Sequence, residues 1–535
     1  MKKILFNHNN QRYQRSIMTI NLNFAINWMK AIATKFKLFT IYFLFFAFHF
    51  SNLSYAQTLS GKIDHFYNKP FTLSVHIGDS LIPVQKITTN EKGEFQFDLQ
   101  NLNNVYATLG KKYGLPKHAM LRIELNRERN QFADVIVQSF YEPIISINKE
   151  IKTRGDNRDI RIHLVYNPSL WFNFAADSAE VKTSDINKSL YQFQKQWRKV
   201  QVAEGWLLEM SRLFPYADEF SKTLINEYYK RYKKMDALMK EHLKHPKNPE
   251  SKIALAYYRP VVPDYGMPDG DRFKIFRQHF WDYFDPNDSL FLFTPVLIDK
   301  FEEWVYLHHH HKDSIAGLYL DRSDIIQGIN SFIEKINKNQ QNRDAVLEYV
   351  LKKLDGDKDD KRLFMEVYDH WLKPQTGDCE LENPKWQKYH EKAAVYRNVI
   401  IGAQAIDFEI MPGRLSLYDI PSDYTLIVFW ASWCPHCTQE MPRLKAVLED
   451  ISQNKKISLS VVMVSLDTNN TAWTTYVNEQ GLQNYIHLCD YKGWKGEIVK
   501  LYNVFATPMM YLLDRNKTII AKPLFSEQLY KYLVK

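Results

Sequence analysis

The sequence predicts a multi-domain chain. It places a β-sandwich-like domain over residues 57–150, an all-α domain over 187–398 and an α/β domain over 400–535. Three observations carry this. Short runs with period-two alternation and turn residues fill the first segment. Stripes of apolar residues at helical spacing fill the second. In the third, continuous apolar runs alternate with amphipathic stretches. From residue 57 onward about 480 residues remain, a length for about three domains.

Residues 1–56 are read apart from these domains. They contain no Asp or Glu; Met29–Lys37 is basic, Leu38–Phe50 is an apolar run too short for a membrane span, and Ser54-Tyr55-Ala56 puts small residues at the two positions a signal peptidase reads. The expectation is a signal peptide over 1–56, cleaved after Ala56, with Met29 as an alternative start and an uncleaved anchor as the alternative fate. The first cysteine is Cys379, so no lipobox cysteine is present to acylate. The mature protein is expected in the periplasm or cell envelope, or outside the cell. Removing the seven charges of Lys2, Lys3, Arg12, Arg15, Lys30, Lys35 and Lys37 takes the formal charge from +9 to +2. A near-neutral chain with scattered Lys and Glu gives no electrostatic case for a nucleic-acid partner. Four cysteines are too few for a disulfide scaffold.

In the first domain, "FTLSVHIG" alternates apolar and polar. "TTNEKGEFQFDL" turns at Lys92-Gly93 and then places Phe95, Phe97 and Leu99 on one face, and "ADVIVQSF" is a further strand. In the second, Leu190, Phe193, Trp197 and Val200 fall near one helical face, as do Leu224, Tyr228, Tyr232 and Leu238; both stripes read as core. His308–His311 forms a four-histidine run. Successive helical residues point about 100° apart, so the four cannot share one metal, and a solvated helix end is the expected reading.

The third domain opens with a hairpin around Pro412-Gly413. "TLIVFW" then reads as a strand buried on both faces. "CPHC" follows at once and opens a helix running toward Asp450. "LSVVMVSLD" is a second buried strand, "AWTTYVNEQG" a helix, "NYIHLCD" extended and "GEIVKLYNV" a short helix. "ATPMMYLLDR" and "KTIIAKPLF" close the sheet, with a terminal helix at "SEQLYKYLVK".

The stretch "FWASWCPHCTQEMP", with "ATP" before a later strand, resembles the TlpA/ResA-like branch of the thioredoxin superfamily. The resemblance implies a thioredoxin-like fold over 400–535. The "GEFQF" strand pattern of the first domain is similar to the β-domains that precede such domains in Bacteroidetes-type envelope proteins. A bare C-x-x-C is also half of a zinc site, but no second C-x-x-C or nearby histidine pair accompanies this one, so no metal is expected.

The spacing has a physical reason. Cys434 at a helix start meets free N–H groups and the positive end of the helix dipole, which favour a thiolate; it is expected to be the exposed, low-pKa nucleophile. Pro435 suits the first turn, where a missing N–H costs nothing. Cys437 lies one turn on, shielded, and resolves a mixed disulfide once Cys434 has formed one. No cofactor is needed beyond a redox-active Cys434–Cys437 disulfide. Pro435 and His436 would tune the pair, His436 having the exposed bystander as its alternative. Family resemblance makes Glu440 a proton relay beneath Cys437, against a helix-surface glutamate. It makes Thr507-Pro508 the cis-proline loop that faces the cysteines and binds substrate, and Trp433 an apolar wall, against simple packing. Cys379 and Cys489 read as bystanders. The implied activity is an exported thiol–disulfide oxidoreductase, a reductase serving cytochrome c maturation or disulfide repair. Its partners would be protein thiols or disulfides and a membrane electron donor. The rivals are a DsbA-like oxidase, to which the Pro-His dipeptide points, and an envelope binding protein with a redox-sensing domain.

Overall fold

The computed structural model describes residues 58–99, 118–138, 160–167, 178–213, 219–260, 269–308, 322–356, 361–373, 384–453 and 457–534, with residues 102, 169 and 176 between them. Two four-stranded sheets come first. One has the order β4-β1-β7-β8, from β1 (Thr58–Asp64), β4 (Glu94–Asp98), β7 (Ile160–Val165) and β8 (Glu180–Val181). The other has the order β3-β2-β5-β6, from β2 (Pro70–Ile77), β3 (Ser80–Thr88), β5 (His118–Asn126) and β6 (Gln131–Gln138). They share one apolar core, into which Leu59, Ile162, Phe95 and Phe97 point from one sheet and Leu73, Val75, Leu121 and Val135 from the other. Phe71 and Phe95 meet edge to face at 5.1 Å across it.

Two sequence expectations change here. The β-unit does not end at 150: β7 pairs in parallel with β1 along six residues and supplies an inner strand of its sheet. Nor is β2 half-exposed as its alternation implied. Leu73–Ile77 is buried throughout, Ser74 and His76 included. The outer face of this sheet packs against helices, with Met120 and Ile136 entering the helical core. Buried polar groups need partners. Asp134 provides them, accepting two hydrogen bonds from Arg122 at 2.8 Å and facing His76 at 3.5 Å.

Between 185 and 396 every regular element among the described residues is helical: α1 (Asp185–Leu213), α2 (Glu219–Leu243), α3 (Pro249–Ala256), α4 (Asp269–His279), α5 (Val296–Leu307), α6 (Arg322–Lys335), α7 (Gln340–Gly356), α8 (Arg362–Val367) and α9 (Pro384–Tyr396). The stripe read from α1 and α2 forms an aromatic cluster of Phe193, Trp197, Tyr228 and Tyr232. His308 lies at the end of α5, half-buried, its Nδ1–H donating to the Trp304 carbonyl at 2.8 Å and its ring packed on the Trp304 ring. Residues 309–311 and Cys379 lie outside the described residues, as does the whole of 1–57.

The last part holds a hairpin, β9 (Glu409–Met411) and β10 (Leu415–Ser416), and a five-stranded sheet of order β13-β12-β11-β14-β15. Its strands are β11 (Tyr424–Trp430), β12 (Leu459–Ser465), β13 (Ile486–Cys489), β14 (Met509–Leu513) and β15 (Ile519–Ala521). The first three run parallel, the last two antiparallel. Helices α10 (Pro435–Ser452) and α11 (Asn470–Glu479) are the crossovers a parallel sheet requires. Short α12 (Glu497–Leu501) and α13 (Tyr530–Leu533) complete it. Both crossovers bring the carboxyl ends of β11, β12 and β13 to one edge. Because β14 is antiparallel, the loop entering it reaches the same edge.

Candidate active site

At that edge β11 gives way to α10. Cys434 is the N-cap of α10, and its sulfur accepts the Cys437 N–H at 3.4 Å; Pro435 takes the first helical position. Pro435 and His436 are exposed, and Trp433 is 52% exposed. The helix continues through Pro442 to Ser452. Thr507-Pro508, just before β14, is a cis peptide, and the Cys434 thiol donates to the Thr507 carbonyl at 3.3 Å. The fold thus brings Cys434, Cys437 and Thr507 together from segments some 70 residues apart. Both thiols are free in this structure.

The two thiols are unequal. Burial would raise the Cys434 pKa, but hydrogen bonds from the Cys437 thiol, the Thr507 side chain and the backbone N–H groups of Cys437 and His436 outweigh it and bring it below the ordinary thiol value. Burial, then the hydrogen bond to Cys434, pushes Cys437 up to about 12. One expectation is corrected: Cys434 is not an exposed thiol. It is 5% exposed, against 0% for Cys437, because the Thr507 loop closes over its sulfur. The lowering of its pKa comes first from two side-chain hydrogen bonds and only then from the helix-start amides.

Glu440 is 6% exposed, which excludes a surface glutamate. Its Oε1 accepts the Ser526 N–H at 2.7 Å, and its Oε2 lies 3.9 Å from the exposed Arg443. Its hydrogen bond therefore ties α10 to the C-terminal turn. Cys489 ends β13, half-buried, its thiol donating to the Asp467 carbonyl at 3.4 Å; burial raises its pKa.

Sequence reading missed Asp467, Ser432 and Tyr476. Asp467, 1% exposed, accepts hydrogen bonds from the Ser432 N–H and hydroxyl and from the Ser465 hydroxyl. The available signal was "SLD", an acid directly after an apolar strand beside the one that leads to Cys434. Tyr476 packs on Trp430 at 5.3 Å with a buried hydroxyl that has no partner among the described residues. Among those residues no cluster of His, Cys, Asp and Glu could hold a metal.

A cysteine pair on the first turn of this helix, faced by a cis-proline loop at the edge of a helix-covered sheet, defines a thioredoxin-like thiol–disulfide oxidoreductase domain. Residues 401–522 match the AhpC/TSA family, so the C-terminal part of the chain is a domain of that family. Among curated relatives, "Thiol-disulfide oxidoreductase ResA" of Bacillus thuringiensis is 27% identical over 141 residues, covering 25% of this chain and 78% of its own. "Thioredoxin-like protein YneN" of Bacillus subtilis is 28% identical over 137 residues, covering 25% and 77%. Among solved structures, a thioredoxin-like protein from Bacteroides caccae aligns over 52% of this chain and 97% of its own, at 19% identity and a TM-score of 0.36. A domain of a possible thiol-disulfide isomerase from Cytophaga hutchinsonii aligns over 25% and 91%, at 28% identity and a TM-score of 0.22.

Proposed function

We propose that this protein is an exported reductase of protein disulfides. The observation that supports disulfide exchange most is the inequality of the two thiols, a stabilised thiolate at Cys434 beside a Cys437 thiol raised to about 12. The reductase direction rests on the resemblance of the longer stretch Phe429–Pro442 to the TlpA/ResA-like branch. Cys434 thiolate attacks one sulfur of a substrate disulfide. A mixed disulfide forms and the other substrate sulfur leaves as a thiolate, which takes up a proton. Cys437 then loses its proton and attacks Cys434, releasing the second substrate thiolate and leaving the Cys434–Cys437 disulfide. Thr507 and Pro508 bind the substrate chain, Trp433 supplies an apolar wall, Pro435 and His436 tune the pair, and Glu440 carries the proton of Cys437. Two electrons and two protons from a membrane donor restore the dithiol. Cytochrome c maturation and repair of wrong disulfides are the processes that need this chemistry outside the cytoplasm.

Export rests on the acid-free basic, apolar and small-residue succession ending at Ala56. N-terminal sequencing of the secreted protein should read from Gln57, and a start before Leu38 would remove this part of the proposal. The direction of electron flow is tested by the potential of the Cys434/Cys437 couple. A reductase lies near about −270 mV and a DsbA-like oxidant near about −120 mV. The stabilised Cys434 thiolate and the Pro-His dipeptide favour the second value, so a result there would reverse the direction.

A further inference from the structure

Helices α1 and α2 form an antiparallel pair remote in sequence from the thiol site. Beside their shared aromatic core runs a groove of two confluent cavities, about 450 and about 590 Å³, that have Lys199, Glu227 and Arg231 in common. Its walls are cationic on both sides: Arg198 and Lys199 from α1, and Arg231, Lys233 and Lys234 from α2. The one carboxylate in its lining among the described residues, Glu227, is held by Lys230 at 2.6 Å. None of Lys199, Arg231, Lys233 and Lys234 makes an ion pair among the described residues.

An ordinary solvated lysine face carries its apolar residues on the opposite side of the helix. Here they share the face. Val202, Ala203 and Leu224 line the larger cavity, and Trp206 stands at it 61% exposed, with Val202 at 56%. A lone exposed apolar residue needs no explanation, but a Trp and a Val set beside Lys199 and Arg231 in a concavity do. The concentration of charge is local, since the chain from residue 57 on carries a formal charge of only +2, the +9 of the whole less the seven charges before it.

We infer that this groove binds an acidic stretch of polypeptide with an apolar or aromatic side chain among its carboxylates, presented by a partner protein. Charge complementarity fixes the sign of the ligand, and the apolar lining fixes the need for an anchor. The groove is concave and walled by two helices, a shape that accommodates an extended chain. Such sites derive rate and specificity from the charges and residence from the buried anchor. The inference is independent of the thiol chemistry, so Cys434→Ser leaves this binding unchanged.

The test uses the full secreted chain and a fluorescein-labelled octapeptide, Asp-Glu-Phe-Asp-Glu-Leu-Asp-Glu, followed by fluorescence anisotropy. Its Asn/Gln analogue and phosphatidylglycerol vesicles serve as comparisons. The acidic peptide should bind, and more weakly as salt rises. The uncharged analogue should bind at least about tenfold more weakly, as should the acidic peptide to the Lys199→Glu/Arg231→Glu protein. Trp206→Ala should weaken binding about fivefold while leaving the salt dependence in place. Equal affinity for the two peptides would overturn the inference. So would an unaffected charge-reversed protein, or binding to vesicles without binding to the peptide. The two-peptide comparison on the unaltered protein decides the matter even if a variant fails to fold.

Discussion

Ser432 donates both its backbone N–H and its hydroxyl to the buried carboxylate of Asp467, at 3.0 and 2.6 Å. A third donor, the Ser465 hydroxyl, reaches the same carboxylate at 2.6 Å. Ser432 stands two residues before Cys434, so this cluster pins the end of β12 to the turn that presents Cys434. Asp467→Asn leaves one acceptor oxygen for three donors. Stability should fall by about 1–3 kcal/mol. Alkylation of Cys434 at neutral pH should slow several-fold as the turn loosens. A variant that loses stability but alkylates at the original rate would make Asp467 a packing residue only.

The order of attack follows from the unequal thiols. Alkylation of Cys434 should have its half-point below the ordinary thiol value. Cys437 should stay unreactive through neutral pH, since its thiolate forms only near 12. Cys437→Ala should trap a mixed disulfide through Cys434, and Cys434→Ala should trap little. Thr507→Val removes a side-chain hydrogen bond that favours the Cys434 thiolate, so its half-point should rise. Equal trapping by the two cysteine variants would end the assignment of roles.

Glu440→Gln separates two tasks of one carboxylate. Gln keeps an oxygen for the Ser526 N–H, so the fold should hold. If Glu440 also carries the proton of Cys437, resolution of the mixed disulfide should slow about tenfold or more and change its pH dependence. Glu440→Ala should in addition cost about 1–3 kcal/mol, because it leaves the buried amide unpaired. An unaltered pH–rate profile in the Gln variant would leave Glu440 with its structural task alone.

What could be read in advance followed the range of the interactions. Strand "TLIVFW", the helix opening at Pro435 and the pairing of Cys434 with Cys437 are local, fixed by composition and spacing over a few residues. The approach of Thr507 to Cys434 spans 73 positions and was reached through family resemblance rather than spacing. The contact of Glu440 with Ser526 spans 86, and nothing near either residue signals the other. Alternation in "FTLSVHIG" misled for a related reason. A period-two pattern marks one buried face, and the helices that bury the other belong to a segment more than 100 residues away. The exposure of Cys434 was misjudged because the loop covering it comes from beyond the helix that positions it.

One buried histidine and two half-buried ones tie the stability of the fold to pH. Burial lowers the pKa of His242, His390 and His487 below the ordinary 6.5. The reason is visible at each. The His242 ring packs edge-on to Phe193 and faces the Ser251 hydroxyl. His487 donates one ring N–H to the Leu482 carbonyl and His390 is paired with the Tyr368 hydroxyl, and the second ring nitrogen of each is buried without a partner. A proton added there has no acceptor. Because the folded pKa values are depressed, the contribution of these groups is whole above pH 6.5. It is lost as pH falls below that value toward the folded ones, while the unfolded chain takes up the protons. The paired carboxylates Asp134 and Asp64, also depressed, give way only below their ordinary 3.8. Calorimetry should therefore show the melting temperature falling between pH 7 and pH 5, before Asp134 and Asp64 contribute, with Asp299 and Asp344, raised by burial, working against the fall. Asn in place of His487 should flatten part of that slope while lowering stability at pH 7.5. A melting temperature that holds level down to pH 5 would mean that these rings accept protons in the folded state as readily as in the unfolded one.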